Sequence, residues 1–287
     1  MTIVVTGATG HLGRLAIEHL LARGVAASSI VGVGRNVEKL AELAASGVGT
    51  AVVDYADAAS LDTALAGAES LVLVSGSEVG HRVAQHGAVI DAAKRAGVGR
   101  IVYTSAPHAT TSELVIAPEH KVTEELIAAS GIPATILRNN WYHENYAATL
   151  PQVAATGVYV ASTGEGRVAS AARSDYAEAI AVVLTGDGHE GAVYELSGDT
   201  AWNGHEFAAA ASEALGREVL YRSVTPEEHA QILADAGLDE GTAGFVLALD
   251  ANIRAGLLGE TDGSLARLIG HPTQPLVDYF RAQTVSA

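Results

Sequence analysis

Ile3-Val4-Val5-Thr6-Gly7-Ala8-Thr9-Gly10-His11-Leu12-Gly13 is the stretch whose reading decides the fold. Its opening run of β-branched apolar residues reads as a strand buried on both faces, and from His11 the apolar spacing turns helical through Leu12, Leu15, Ala16 and Leu20. A glycine-rich turn joining such a strand to a helix gathers backbone N–H groups and the positive end of a helix dipole, and its glycines let a pyrophosphate approach without a Cβ in the way. The ligand this implies is a dinucleotide. Three glycines alone are weak evidence, so the weight rests on the strand before them and the helix after.

Outward from this turn, short β-branched runs alternate with Ala/Leu-rich helical stretches. Strands are predicted at 2–6, 29–33, 50–53, 70–74, 100–104 and 133–137, with helices near 11–23, 36–46, 58–66, 79–97 and 115–130. This rhythm predicts an α/β protein with a Rossmann-like, doubly wound parallel sheet and right-handed crossovers. Gly24, Gly47, Gly67, Gly97 and Gly131 stand just past the helix ends, where a left-handed residue terminates a helix at little cost. After about residue 138 the rhythm breaks. An Asn/Trp/Tyr-rich segment from Asn139 to Tyr146 precedes a strand near 158–160, a helix near 175–185, a strand near 193–196 and a mostly helical tail. The expected division is a Rossmann domain over 1–138, completed by parts of 158–185, and a smaller, mostly helical substrate-side domain over 139–287.

The 287 residues carry 17 basic and 33 acidic side chains, a net charge of −16, which disfavours nucleic acid and acidic membrane surfaces as partners. A first strand starting at residue 2 and the absence of an apolar run near the roughly 18 residues of a membrane span lead to the expectation of a cytoplasmic protein without membrane insertion. There is no cysteine, which excludes disulfides, a thiolate nucleophile and Cys-ligated metal. The eleven histidines show no metal-binding spacing, so no metal is expected.

Arg35 ends the second strand, where an acidic residue would accept from the 2′-OH of NAD and a cation suits a 2′-phosphate. No carboxylate follows until Glu38, so NADPH is favoured over NADH. After the third strand, Asp54 is a candidate for the adenine amino group and Asp57 for the cap of the helix at Ala58. Ser75-Gly76-Ser77 follows the fourth strand, at the sheet's carboxyl edge, and is expected to face the nicotinamide half.

Catalysis turns on an absence. The lysines are Lys39, Lys94 and Lys121, and four residues before them stand Arg35, Ile90 and Ala117, so no Tyr-x-x-x-Lys proton shuttle exists. His120 with Glu124 lies on the helix that would have held that pair, as an acid/base substitute or as an ordinary histidine of a surface helix.

The chain resembles the NmrA-like branch of atypical short-chain dehydrogenases, in particular bacterial type 2 NADPH:quinone oxidoreductases. The resemblance is carried by Gly7 to Gly13, Ser75 to Gly80, Tyr103-Thr104-Ser105, Leu137 to Tyr146, Ala169 to Ala177, Val193 to Gly198 and Ile269 to Thr273. It implies NADPH binding by Gly7, Thr9, Gly10, His11, Leu12, Arg35, Ser75, Gly76, Ser77 and the segment Asn139, Asn140, Trp141, Tyr142, His143, Glu144, with Arg173 a weaker candidate. It also implies a quinone stacked near the nicotinamide, against Trp141 and Tyr142. His11 stands where glutamine is common in the family, and Asn140 where glycine is common.

Hydride transfer to a quinone yields an oxyanion whose parent acid has a pKa of about 10, as for tyrosine, so solvent or a weak donor suffices and the missing shuttle is consistent. No sequence feature demands a flavin. The catalytic residue stays open, with His120, Asn140 and Tyr142 as weak candidates. Two rivals remain: an NADP(H)-binding redox sensor without turnover, and an isoflavone-reductase-like enzyme acting on another conjugated acceptor. A homodimeric state stays open.

Overall fold

The computed structural model describes residues 1–285. The chain begins with β1 (Ile3–Val5), α1 (His11–Ala22), β2 (Ile30–Gly34), α2 (Val37–Ala44), β3 (Gly49–Val52), α3 (Ala58–Leu65) and β4 (Ser70–Leu73). It continues through α4 (Arg82–Ala96), β5 (Arg100–Ser105), α5 (Ala117–Ser130) and β6 (Ala134–Asn139). Then come α6 (Thr149–Thr156), β7 (Val158–Ala161), α7 (Arg173–Thr185) and β8 (Val193–Leu196). The remainder is α8 (Gly204–Leu215), β9 (Leu220–Ser223), α9 (Pro226–Asp235), α10 (Glu240–Arg254), α11 (Ser264–Ile269) and α12 (Leu276–Val285).

Two compact units result. The first comprises Met1–Thr110, Ile116–Asn139 and Arg173–Glu195; the second comprises Thr111–Val115, Asn140–Ala172 and Leu196–Ala287. Besides the N-terminal part of the chain, α7 and most of β8 belong to the first unit. His19 Nε2 on α1 meets Ser174 Oγ on α7 at 2.9 Å, and Arg100 donates to the Val183 and Leu184 carbonyls at the end of α7.

Unit 1 is built on a seven-stranded sheet of order β3-β2-β1-β4-β5-β6-β8. The pairs from β3 to β6 are parallel. The switch point lies between β1 and β4, and Thr6 pins it, donating its hydroxyl to Val72 O and accepting from Val74 N–H. Ile3, Val4 and Val5 are buried, as their both-faces pattern predicts, and each such side chain contributes about 1.5–3 kcal/mol relative to exposure. On one face Val4, Leu71, Ile101 and Tyr103 pack with Leu61, Leu65, Val89 and Ile90 from α3 and α4. Gly24, Gly47, Gly67, Gly97 and Gly131 all have positive φ.

Unit 2 holds α6, α8 to α12 and a two-stranded parallel sheet of β7 and β9. Its core is aromatic: Tyr159 stacks on Phe207 at 4.1 Å between centroids, and Phe207 meets Trp202, Tyr146 and Phe280. The sequence reading missed β9 and α6. The Leu220–Ser223 strand is largely exposed and has no apolar alternation to read. Among the described residues no helix is long and apolar enough to cross a membrane.

Candidate cofactor site

The turn after β1 is shaped by its glycines. Gly7 takes φ +61°, and Gly10 N–H closes the turn on Gly7 O at 2.8 Å. A Cβ on Gly13 would lie 2.4 Å from Gly7 O, so only glycine lets α1 start this close to the strand. The N-terminus of α1 has neither a side-chain cap nor an acidic residue in its first turn, leaving its N–H groups to an anion.

This turn walls a cavity of about 370 Å³ within unit 1. Gly7, Thr9, Gly10, His11, Leu12, Arg35, Asp54, Ser75, Gly76, Ser77 and Arg173, all singled out from sequence, line it together. Sequence reasoning missed Tyr55, Glu78 and Gln85, which line it too. Asp57 caps α3 as expected, its Oδ1 accepting from Ala59 N–H at 3.0 Å.

Glu78 bridges the two sides of the rim. Its Oε1 accepts from Arg35 Nη2 at 2.7 Å and its Oε2 from Gln85 Nε2 at 2.8 Å. The hydrogen bond to Arg35 holds the Glu78 carboxyl below the usual carboxylate range, and the same bond raises the Arg35 guanidinium. A 2′-phosphate at Arg35 therefore competes with a carboxylate already in place.

The serine loop is clamped from behind. Gly76 N–H donates to His86 Nε2 at 3.0 Å, Arg82 Nε donates to Gly76 O at 2.8 Å, and Glu119 accepts from both Arg82 Nη1 and Gly80 N–H. Thr123 gives its hydroxyl proton to Glu119 O, so His86 Nδ1 is the donor in its 3.0 Å contact with Thr123 Oγ1. That fixes one neutral tautomer, and burial pushes the His86 pKa down to about 3. No motif reveals this clamp, because it joins β4's loop to two helices through side chains far apart in sequence.

His120 is on the buried face of its surface helix. It is buried at 3% exposure with Nδ1 2.7 Å from the Tyr103 hydroxyl, and burial lowers its pKa to about 3. It does not line the cofactor cavity. Glu124, its suggested partner, is committed elsewhere, taking two hydrogen bonds from Arg138 and one from Ser105 Oγ.

The 139–144 segment divides at the unit boundary. Asn139 ends β6 in unit 1, buried; Asn140 to Glu144 belong to unit 2. None of the six lines the 370 Å³ cavity. Asn140 Oδ1 accepts from Trp141 N–H, its Nδ2 donates to Leu258 O, and Tyr142 forms a bridge with Ala171. His143 is buried between Ser170 Oγ and Gln274 O, both at 2.8 Å, and burial lowers its pKa to about 4. Trp141 lines a second cavity, of about 650 Å³, wholly within unit 2. Glu144 is half-buried in the short helical turn that follows.

Compared with known proteins, residues 1–251 match the model of the NmrA-like family. The chain belongs to the NmrA-like family. This NmrA-like chain is 46% identical over 276 residues to quinone oxidoreductase 2 of Escherichia coli strain K12, covering 96% of each. Its fold superposes on a crystal structure of the NADPH-dependent quinone oxidoreductase of Escherichia coli complexed with NADPH, with TM-score 0.94 and 45% identity, covering 99% of this chain and all of that one. The triphenylmethane reductase of a Citrobacter species, complexed with NADP(H), is similar at TM-score 0.93 and 38% identity, over 98% of this chain and 99% of that one.

Proposed function

We propose that this protein is an NADPH-dependent quinone reductase that works without flavin, metal or a Tyr-Lys shuttle. The observation that carries the reading is the single cavity shared by the glycine turn, Arg35 and the Ser75-Gly76-Ser77 loop. Those residues suit a dinucleotide phosphate: uncapped N–H groups of α1 for the pyrophosphate, Arg35 for the 2′-phosphate, and Asp54 and Tyr55 beside the adenine end. NADPH, when bound, supplies the hydride.

The protein's own part is to hold and to exclude. His86, Arg82 and Glu119 fix the serine loop, giving the nicotinamide half a rigid edge. Rigid positioning contributes most where the chemistry needs little acid assistance. A hydroquinone oxyanion takes its proton from solvent or a weak donor, which agrees with a His120 that is buried and neutral. On the acceptor side, Trp141 in the wall of an apolar cavity supports a planar, conjugated substrate. The acidic charge and the lack of cysteine fit a cytoplasmic enzyme acting on a small molecule.

Steady-state oxidation of NADPH by flavin-free enzyme, with and without a panel of small quinones, tests this. Quinone-dependent turnover is expected. Cofactor binding without turnover on any quinone would replace the enzyme by a redox sensor.

A further inference from the structure

The 650 Å³ cavity of unit 2 is formed by α6, β7, α9 and α10, with Trp141, Tyr146, Tyr159 and Phe245 among its walls. Its size lies within the range of small-molecule sites, roughly 300–1,000 Å³. No lysine or arginine lines it, and Asp250 does, so an anionic ligand is disfavoured.

One polar group of the walls is left with hydrogen-bonding capacity. Asp250 Oδ2 accepts from Ser162 N–H at 2.7 Å, Ser162 Oγ at 2.8 Å and His229 Nδ1 at 2.8 Å. A carboxylate only accepts, so His229 Nδ1 carries a proton, and in the neutral imidazole Nε2 is the acceptor. Nε2 makes no hydrogen bond among the described residues, although His229 is only 5% exposed. His143, also buried in unit 2, is by contrast paired on both nitrogens. An imidazole nitrogen left over in the wall of an aromatic cavity describes a ligand that donates to it.

We propose that this cavity binds a planar hydroxylated aromatic, a phenol or hydroquinone, with its ring against Trp141, Tyr146 and Phe245 and its hydroxyl donating to His229 Nε2. Reduction of a quinone by NADPH and one proton gives NADP⁺ and a hydroquinone, so the site suits the product form of the acceptor. For the identity of the natural ligand the inference rests on the quinone reading; its binding test does not.

The test is calorimetric titration of cofactor-free enzyme with 1-naphthol and with 1-methoxynaphthalene, which has the same rings but no donor. The naphthol is expected to bind at least about tenfold tighter, the value of one good hydrogen bond in a buried site. His229→Phe should erase that preference while leaving the methyl ether's affinity within about twofold. Leu233→Trp, at a half-exposed wall position, should abolish binding of both ligands with NADPH affinity unchanged. Equal affinity for the two probes, a preference that survives His229→Phe, or binding that survives Leu233→Trp would overturn the proposal. Naphthol binding without quinone turnover would sink the quinone reading alone; turnover without naphthol binding would sink this site alone.

Discussion

The rim of the unit 1 cavity and the Asn140–Glu144 segment of unit 2 are comparably rich in polar side chains, yet they use them in opposite ways. At the rim, Arg35 and Glu78 are 70% and 40% exposed at the side chain and meet only each other and Gln85. In the segment, Asn140 and His143 are below 10% exposed and their polar atoms are bonded within the unit. Residue type alone does not tell these two uses apart. Exposure beside a cavity does.

The comparison breaks most severely if the glycine turn is not a ligand cradle. Gly13→Ala places a Cβ 2.4 Å from Gly7 O, so the turn must shift, and loss of one or two charged hydrogen bonds of about 1.5–3 kcal/mol each costs on the order of a hundredfold. NADPH affinity, measured by nicotinamide fluorescence, should fall by about that factor. Next, Arg35→Ala should weaken NADPH about ten- to hundredfold and NADH far less, since a charged hydrogen bond is worth about 1.5–3 kcal/mol. An equal loss for both cofactors would remove Arg35 from the 2′-phosphate.

On the structural side of the contrast, His143→Phe leaves Ser170 Oγ and Gln274 O without the imidazole. Each buried unsatisfied group costs about 1–3 kcal/mol, so Tm should drop by several degrees while NADPH affinity holds. pH sharpens the same point. His86, His120 and His143 are neutral in the native state, with pKa values lowered to about 3, 3 and 4, and return to the ordinary value of about 6.5 on unfolding. Unfolding therefore takes up protons below pH 6.5, and stability present above that pH is lost as the pH falls toward 4. The slope of unfolding free energy against pH between 6 and 4.5 should decrease by about one proton in His143→Phe. The smallest effect is at the rim. Glu78→Gln removes the competitor for Arg35 and should tighten NADPH about two- to fivefold, the range of an exposed ion pair, with NADH unchanged.

Much of unit 1 was legible because it is local. Strand runs, helix periodicity and glycine punctuation placed all six of the first strands, and the glycine turn, Arg35 and the serine loop followed from the order of elements. What was not legible depends on partners distant in sequence. Pro118-Glu119-His120-Lys121 reads as an exposed helix start, and only the packing of α5 on Tyr103 of β5 buries His120. Glu78 carries no signal until the fold brings it to Arg35, 43 residues away. His229 and Asp250 sit in the helical tail with no motif, brought together where α9 packs on α10, with Ser162 on the same carboxylate.

Direct hydride delivery to a quinone is tested most closely by the isotope effect of NADPH deuterated at the transferable C4 position, using flavin-free enzyme and a saturating small quinone. The account predicts quinone-dependent oxidation that is slower with one of the two C4-deuterated stereoisomers and unaffected by added flavin. Oxidation that requires flavin, or no quinone-dependent oxidation with NADPH bound, would contradict it.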